Sequence, residues 1–384
     1  MHAPMNFNKQ NISFKRAKRR MVLALATTIA LMPLAAFAHT DEIKNQKIEV
    51  AFVLDTTGSM GDLIAGAKRK IWSIANTIVD INPDADIRMG LVGYRDFQDD
   101  YVVKTVQMTS DIQGMYDQLN KFRAAGGGDT REAVNEALNA ALEQIQWSQG
   151  ENTKRIVYLV GDAPPHMDYN GPKYPELVER ANDRNIIINA VQAGNSRQTQ
   201  RVWKHIAGLG QGDYISIPQD GGKVVIIETP FDDDIIILQR KIDQTVLPYG
   251  LKEQRSRIKA ILQNKAEAPG SVVVDSSKYY SSRSSKEGIV SGRGDLIADV
   301  ANKRLKLDNL SKEVLPEQLK DKTTTEIEEY VNVRLDVRRQ LQKQMAALIK
   351  KRDNHVRRVQ ETSSLAAAPS FDREVEKSLR KILK

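Results

Sequence analysis

Between residues 47 and 218 the chain alternates short apolar runs with stretches in which apolar residues recur every three or four positions. The run 47–54 (KIEVAFVL) reads as a buried strand that ends on Asp55. Over 62–80, Leu63, Ala67, Ile71, Ile74 and Ile78 fall on one face of a helix. Further strands are predicted at 87–94, 101–107, 155–160 (RIVYLV), 185–192 (NIIINAVQ) and 214–217, with helices at about 111–123, 131–146, 175–184 and 198–208. Strands and helices in this alternation predict an α/β fold, a doubly wound and mostly parallel sheet. Ligands of such sheets sit beyond the carboxyl ends of the strands, where the strand order reverses. Two of the predicted strand ends carry Asp55 and Asp162.

The pattern changes after residue 218, where Pro218-Gln-Asp-Gly-Gly222 breaks the alternation. Residues 219–267 predict helices at about 230–247 and 253–266, both able to pack on the first domain. The stretch 268–288 is rich in Ser, Lys and Gly and reads as a linker. Residues 289–384 read as a charged, largely α-helical C-terminal region with a long helix over 325–359. Thr325 and Glu328 have the spacing of a capping box at its start. Ile327, Tyr330, Val337, Leu341 and Leu348 keep a three-four spacing that Arg334 and Gln344 interrupt. The interrupted seam favours a solvated helix packed on its own domain over a coiled coil, and leaves oligomerisation through these helices open.

Composition changes the picture mainly at the N-terminus. Residues 1–20 carry six Lys or Arg and no acid, 21–34 is an apolar run, and Ala-Phe-Ala follows at 36–38. A basic segment, a short apolar segment and small residues two apart predict a secretory signal peptide over 1–38, cleaved after Ala38. The apolar run is shorter than a membrane-spanning helix requires. Removing the six leader cations from the 57 Lys and Arg leaves 51 against 49 acids, so the net charge of +8 falls to +2. The basic pI therefore belongs largely to the leader and predicts no nucleic-acid partner. The chain has no Cys, which excludes disulfides, thiolate metal sites and cysteine nucleophiles. No later apolar run is long enough to span a membrane, so the mature chain is expected in the periplasm or outside the cell.

The candidate chemistry is concentrated in three loops. In Asp55-Thr-Thr-Gly-Ser59 a strand delivers an acid, and hydroxyls follow at Thr57 and Ser59. A carboxylate with two hydroxyls is a set of hard oxygen donors, suited to Mg²⁺, Mn²⁺ or Ca²⁺. The same residues can instead cap the helix that begins near residue 60. Gly126-Gly-Gly-Asp-Thr-Arg-Glu132 is a second loop opening a helix, with Asp129, Thr130 and Glu132 as donors. Leu159-Val-Gly-Asp162-Ala-Pro-Pro-His166 supplies a second strand-end acid.

In combination the three segments resemble the metal-ion-dependent adhesion site of von Willebrand factor A domains, over roughly residues 46–218. Asp55, Thr57 and Ser59 match the family's D-x-S/T-x-S motif, and Asp162 matches its late Asp. The Asp129-Thr-Arg-Glu132 order and the Asp162-x-x-x-His166 run resemble the integrin β-like subgroup. The resemblance implies a Rossmann-like sheet, a Mg²⁺ or related ion, and Glu132 as the middle ligand, with Thr130 and Asp129 as alternates. It also implies protein–protein binding, with an acidic side chain of the ligand completing the coordination. A second carboxylate beside Asp55 lowers the ion's electrophilicity and favours Ca²⁺ or Mn²⁺.

Arg95 and Asp96, after the second strand, and His166 form a candidate binding rim, with Arg95 placed to steer an acidic ligand. Packing within the loops is an equal reading for the first two and the stronger one for His166. Arg293-Gly-Asp295 is read as turn and helix-cap residues. No phosphate loop, nucleophile elbow or zinc-protease motif appears, so no enzymatic activity is expected. The leading expectation is a metal-dependent binding or assembly module outside the cytoplasm. The alternatives are an envelope scaffold working through its C-terminal helices, and a recruiting subunit of an enzyme.

Overall fold

A computed structural model describes residues 46–128, 130–223, 225–283, 294–362 and 369–384. The expected signal peptide, Asp129, Arg293 and the end of the expected linker (284–288) lie outside the described residues. The first part of the chain runs β1 (Lys47–Asp55), α1 (Gly61–Ile81), β2 (Asp86–Tyr94), β3 (Val103–Thr109), α2 (Ile112–Lys121) and α3 (Val134–Glu143). It continues through β4 (Thr153–Gly161), α4 (Tyr174–Asp183), β5 (Ile186–Ala193), α5 (Arg197–Leu209) and β6 (Gln211–Ile217). Six strands form one sheet in the order β3-β2-β1-β4-β5-β6, in which only β3 runs antiparallel. The doubly wound, mostly parallel sheet expected from the alternation is what the chain forms.

β1 lies between β2 and β4, and the strand order reverses there. With both faces covered, β1 is apolar on both sides. Ile48, Val50, Phe52 and Leu54 point into one core with α1 and α2, whereas Ala51 and Val53 point into a second with α3, α4 and α5. Leu54 of β1 stands opposite Val160 of β4, so the two strands end side by side at Asp55 and Gly161.

Beyond the sheet come α6 (Asp232–Asp243), α7 (Lys252–Glu267), α8 (Gly270–Arg283), α9 (Leu296–Ala301), α10 (Thr324–Thr362) and α11 (Phe371–Leu383). The expected linker at 268–288 is corrected over its described part, because α8 is a buried helix there. Its Val272, Tyr279 and Tyr280 join the core around α1, with the Tyr279 and Tyr280 rings 5.4 and 5.6 Å from Trp72. Its serines do not break the helix, because Ser276 and Ser277 both donate back to the Val273 carbonyl, at 3.0 and 2.7 Å.

The capping box of α10 lies two residues before the expected pair. Thr323 Oγ1 accepts from the Glu326 amide at 3.3 Å, and the Glu326 carboxylate accepts from the Thr323 amide at 2.7 Å. The buried face of α10 is Ile327, Val331, Arg338, Met345 and Ile349, while Val337 is exposed. That face packs on α6, α8 and α9, so the helix lies on its own chain.

α11 departs furthest from the expected division of the chain. Phe371, Val375 and Leu379, one helical face, enter the core of the sheet, and the Phe371 ring meets Phe52 edge-on at 6.3 Å. The Phe371 amide donates to the Gly221 carbonyl at 2.9 Å. The chain thus leaves the sheet at residues 221–222, returns to the α1 side of its core through α8, and returns again at 371, so that the C-terminal helix covers part of a layer that residues 46–218 leave open.

Candidate metal centre

Asp55 ends β1 and is fully buried. Its Oδ1 accepts from the Thr57 amide at 2.8 Å and from Thr57 Oγ1 at 2.7 Å, and Thr57 Oγ1 lies 3.3 Å from the exposed Ser59 hydroxyl. The three residues of the first motif therefore point at one spot above the strand end. They do not cap α1, since no side chain caps either the short turn before that helix or the helix itself.

Gly161, at the end of β4, permits the second acid to approach. A Cβ there would fall 2.2 Å from Tyr94 Oη and 3.4 Å from the Asp55 Cβ, so only Gly fits. Tyr94 Oη instead donates to the Val160 carbonyl at 3.1 Å, fixing the end of β4 from below. Asp162 follows directly, with its backbone carbonyl held by Thr199 Oγ1 at 2.9 Å and its Oδ2 by Gln219 Nε2 at 2.5 Å.

The middle loop comes in over the top. Gly126 and Gly127 adopt φ of +77° and +87°, a region that favours glycine. The Gly127 amide donates to Asp99 Oδ2 at 2.9 Å and the Gly126 carbonyl accepts from the Gly58 amide at 3.2 Å, which pins this loop to the first. Glu132 is anchored to the third loop by its amide, which donates to the Pro164 carbonyl at 3.0 Å. Its side chain is buried, whereas Thr130 is exposed.

Asp55, Glu132 and Asp162 are close enough to act on one another. Burial raises the Asp55 carboxyl to about 7 against the pull of Thr57, and Asp162 adds to the rise. Burial, then Asp55, Asp96, Asp162 and Asp99, raises Glu132 to about 9. Burial, then Asp55, Glu132 and Asp162, push the Tyr94 phenol well above its ordinary value. Asp55 Oδ2 and Glu132 Oε2 are buried without a hydrogen-bond partner among the described residues. Leaving such oxygens unmatched is costly, and a divalent cation would satisfy both. Among the described residues no three Asp, Glu or His groups form a metal cluster by themselves. The donor set here mixes carboxylates with two hydroxyls, which suits hard cations. The residues present fit such an ion, with Asp55, Thr57, Ser59, Glu132 and Asp162 as the holding groups.

Of the two readings of the expected rim, packing within the loops is the one that burial and hydrogen bonding favour. Arg95, Asp96 and His166 are 5%, 9% and 3% exposed, so none of them is free to steer a ligand. Arg95 donates to the carbonyls of Thr56 and Arg123 at 3.2 and 2.8 Å and lies over the Tyr101 ring at 4.5 Å. His166 Nε2 lies 2.8 Å from Asp96 Oδ1, tying the loop after β4 to the loop after β2. These residues hold the loops in register. The outer edge is formed instead by Met167 and Tyr169, 48% and 44% exposed, with Tyr169 packed on Phe97 at 4.2 Å. Nothing in the sequence pattern distinguished Met167 and Tyr169, because they follow the third motif rather than belong to it. Asp295 caps α9 by accepting from the Ile297 amide at 3.2 Å, in keeping with its reading as a cap residue.

Residues 49–228 match the family model of the von Willebrand factor A domain. A putative ariadne-like RING finger protein of Acanthamoeba polyphaga mimivirus is 32% identical over 123 residues, 32% of this chain and 12% of that protein. An alpha-protein kinase of Dictyostelium discoideum is 26% identical over 133 residues, 34% of this chain and 20% of the kinase. The chain thus spans a fifth or less of the length of these curated relatives. Among solved structures, the conserved hypothetical protein BatB from Bacteroides thetaiotaomicron is 16% identical with a TM-score of 0.34, covering 45% of this chain and 90% of BatB. The SpRpn10 VWA domain is 14% identical with a TM-score of 0.35, covering 46% of this chain and 89% of that domain. Residues 49–228 thus match the von Willebrand factor A domain model over just under half of the chain, and they carry the mostly parallel six-stranded sheet described above.

Proposed function

We propose that this chain is an extracytoplasmic, non-enzymatic binding protein. Its A domain holds one Mg²⁺, Mn²⁺ or Ca²⁺ through Asp55, Thr57, Ser59, Glu132 and Asp162, and a protein partner binds there through an acidic side chain. The observation that carries this reading is the pair of buried, unpartnered carboxylate oxygens on Asp55 and Glu132 at the point where the strand order reverses. When bound, the ion supplies a Lewis-acidic position for a partner's carboxylate. The chain's own residues orient the donors and keep water from the Asp55 side. Von Willebrand factor A domains generally mediate protein–protein interaction, which supports the partner assignment. The compartment rests on the leader pattern of 1–38. Among the described residues no helix is long and apolar enough to cross a membrane.

Titration of the metal-free mature chain with Mn²⁺, followed by electron paramagnetic resonance, tests the reading. One Mn²⁺ per chain is expected for the parent and none for Asp55→Ala with Asp162→Ala. Immobilised peptides bearing a single Asp should retain the loaded parent and release it on chelation. Equal Mn²⁺ binding by parent and variant would remove the assignment.

A further inference from the structure

The turn after β6 touches the candidate centre in a way the three motifs do not include. Gln219 Nε2 donates to Asp162 Oδ2 at 2.5 Å. Its amide oxygen lies close to Gly194, where an added Cβ would fall 2.2 Å from Gln219 Oε1. Gly194, with φ of +76°, is held by its own amide, which donates to the Ile217 carbonyl at 3.0 Å. Two residues beyond Gln219, the Gly221 carbonyl accepts from the Phe371 amide. Gln219 is therefore seated by the end of β6 on one side and by the returning chain on the other, and it reaches across to Asp162.

Asp162 is exposed enough to rotate, unlike Asp55. Thr199 fixes only its backbone carbonyl. The Gln219 amide holds the Asp162 carboxylate through Oδ2, and that carboxylate is near enough to Asp55 to raise it. Groups that hydrogen-bond a metal-ligating carboxylate from behind fix its direction, and their loss typically weakens metal binding 10- to 100-fold.

We infer that Gln219 is a positioning residue for the divalent cation: it holds Asp162 in the ligating orientation from outside the three recognised loops. This rests on the metal reading proposed above. Gln219 is exposed and its side chain enters no core, so its truncation should leave the metal-free fold intact.

The test is Mn²⁺ affinity of the mature chain by calorimetric titration, with the metal-free melting temperature measured beside it. Gln219→Ala should weaken Mn²⁺ binding by about 10- to 100-fold with an unchanged metal-free melting temperature. Gly194→Ala, which pushes the Gln219 amide aside without removing it, should weaken Mn²⁺ binding in the same direction. Gln219→Ala affinity equal to or tighter than the parent's would overturn the inference while leaving the metal site standing. A weaker affinity accompanied by an equal loss in metal-free melting temperature would also overturn it, since that marks a general structural role. Absence of Mn²⁺ binding by the parent would remove the metal reading itself, and the inference with it.

Discussion

Asp55 and Asp162 stand side by side at the ends of adjacent parallel strands, and the structure gives the pair unequal surroundings. Asp55 is sealed from solvent and held by Thr57, whereas Asp162 is partly open and held by Gln219. The sealed acid is raised to about 7 by burial, with Asp162 adding to the effect, and the buried Glu132 beside them is raised to about 9. Burial first, and the neighbouring acids second, disfavour ionisation of Asp55 and Glu132.

Stability of the metal-free chain should fall as the pH rises. Both carboxyls titrate above their unfolded values near 4, so between about pH 4 and the folded values the native state binds more protons than the unfolded chain. Their contribution is fully present at low pH and is lost as the pH rises through about 7 for Asp55 and then about 9 for Glu132. Urea denaturation of the parent and of Asp55→Asn with Glu132→Gln, from pH 5 to 9, checks this. The variant should gain on the parent steadily across that range, and a constant gap would refute the assignment.

Metal binding should carry the opposite pH dependence. A cation held by Asp55 and Glu132 displaces their protons, so its affinity should rise from pH 6 to pH 9. Calorimetric Mn²⁺ titrations in buffers of different ionisation enthalpy should show protons released at pH 7. Mn²⁺ binding without proton release would place the ion elsewhere.

Gly161→Ala should destabilise the fold by about 1–3 kcal/mol, the usual range for forcing extra volume into a packed core. The added Cβ would collide with Tyr94 Oη and crowd Asp55. Chemical denaturation measures the loss, and a stability equal to the parent's would show that β4 can withdraw from Tyr94.

In the helical region Arg338 donates to Asp295 at 2.7 and 3.3 Å and to Thr245 at 2.7 Å, and both charged side chains are almost fully buried. Arg338→Ala leaves the Asp295 charge buried and unpaired, and should cost about 3–5 kcal/mol. A loss below 1 kcal/mol in urea denaturation would mean that α10 can shift to let water reach Asp295.

How much of this was legible in the sequence depended on whether the signal was local. The strands around Asp55 and Asp162 carry continuous apolar runs, and their ends are marked by acids, so the sheet and two site residues could be read directly. Glu132 was legible as one of three donors in its loop and was preferred over Asp129 and Thr130 only through family resemblance, since its position depends on the Pro164 carbonyl in another loop. Arg95 was read equally as rim and as loop packing from its place after the second strand, and only the structure supplies the carbonyls of Thr56 and Arg123 that bury it. The Ser-rich α8 was hidden because hydroxyls favour loops until a helix gives them a carbonyl three or four residues back. Gln219 carried no signal, as its partner lies 57 residues away in the chain.

The most direct test of the central claim is thermal unfolding of the mature chain, stripped of metal, with and without Mg²⁺, Mn²⁺ or Ca²⁺, beside Asp55→Ala with Asp162→Ala. A cation bound only by the folded state should stabilise the parent by about 2.7 kcal/mol at a hundredfold excess over its dissociation constant, and leave the variant unmoved. No shift in the parent, with absence of bound metal confirmed beforehand, would contradict the account.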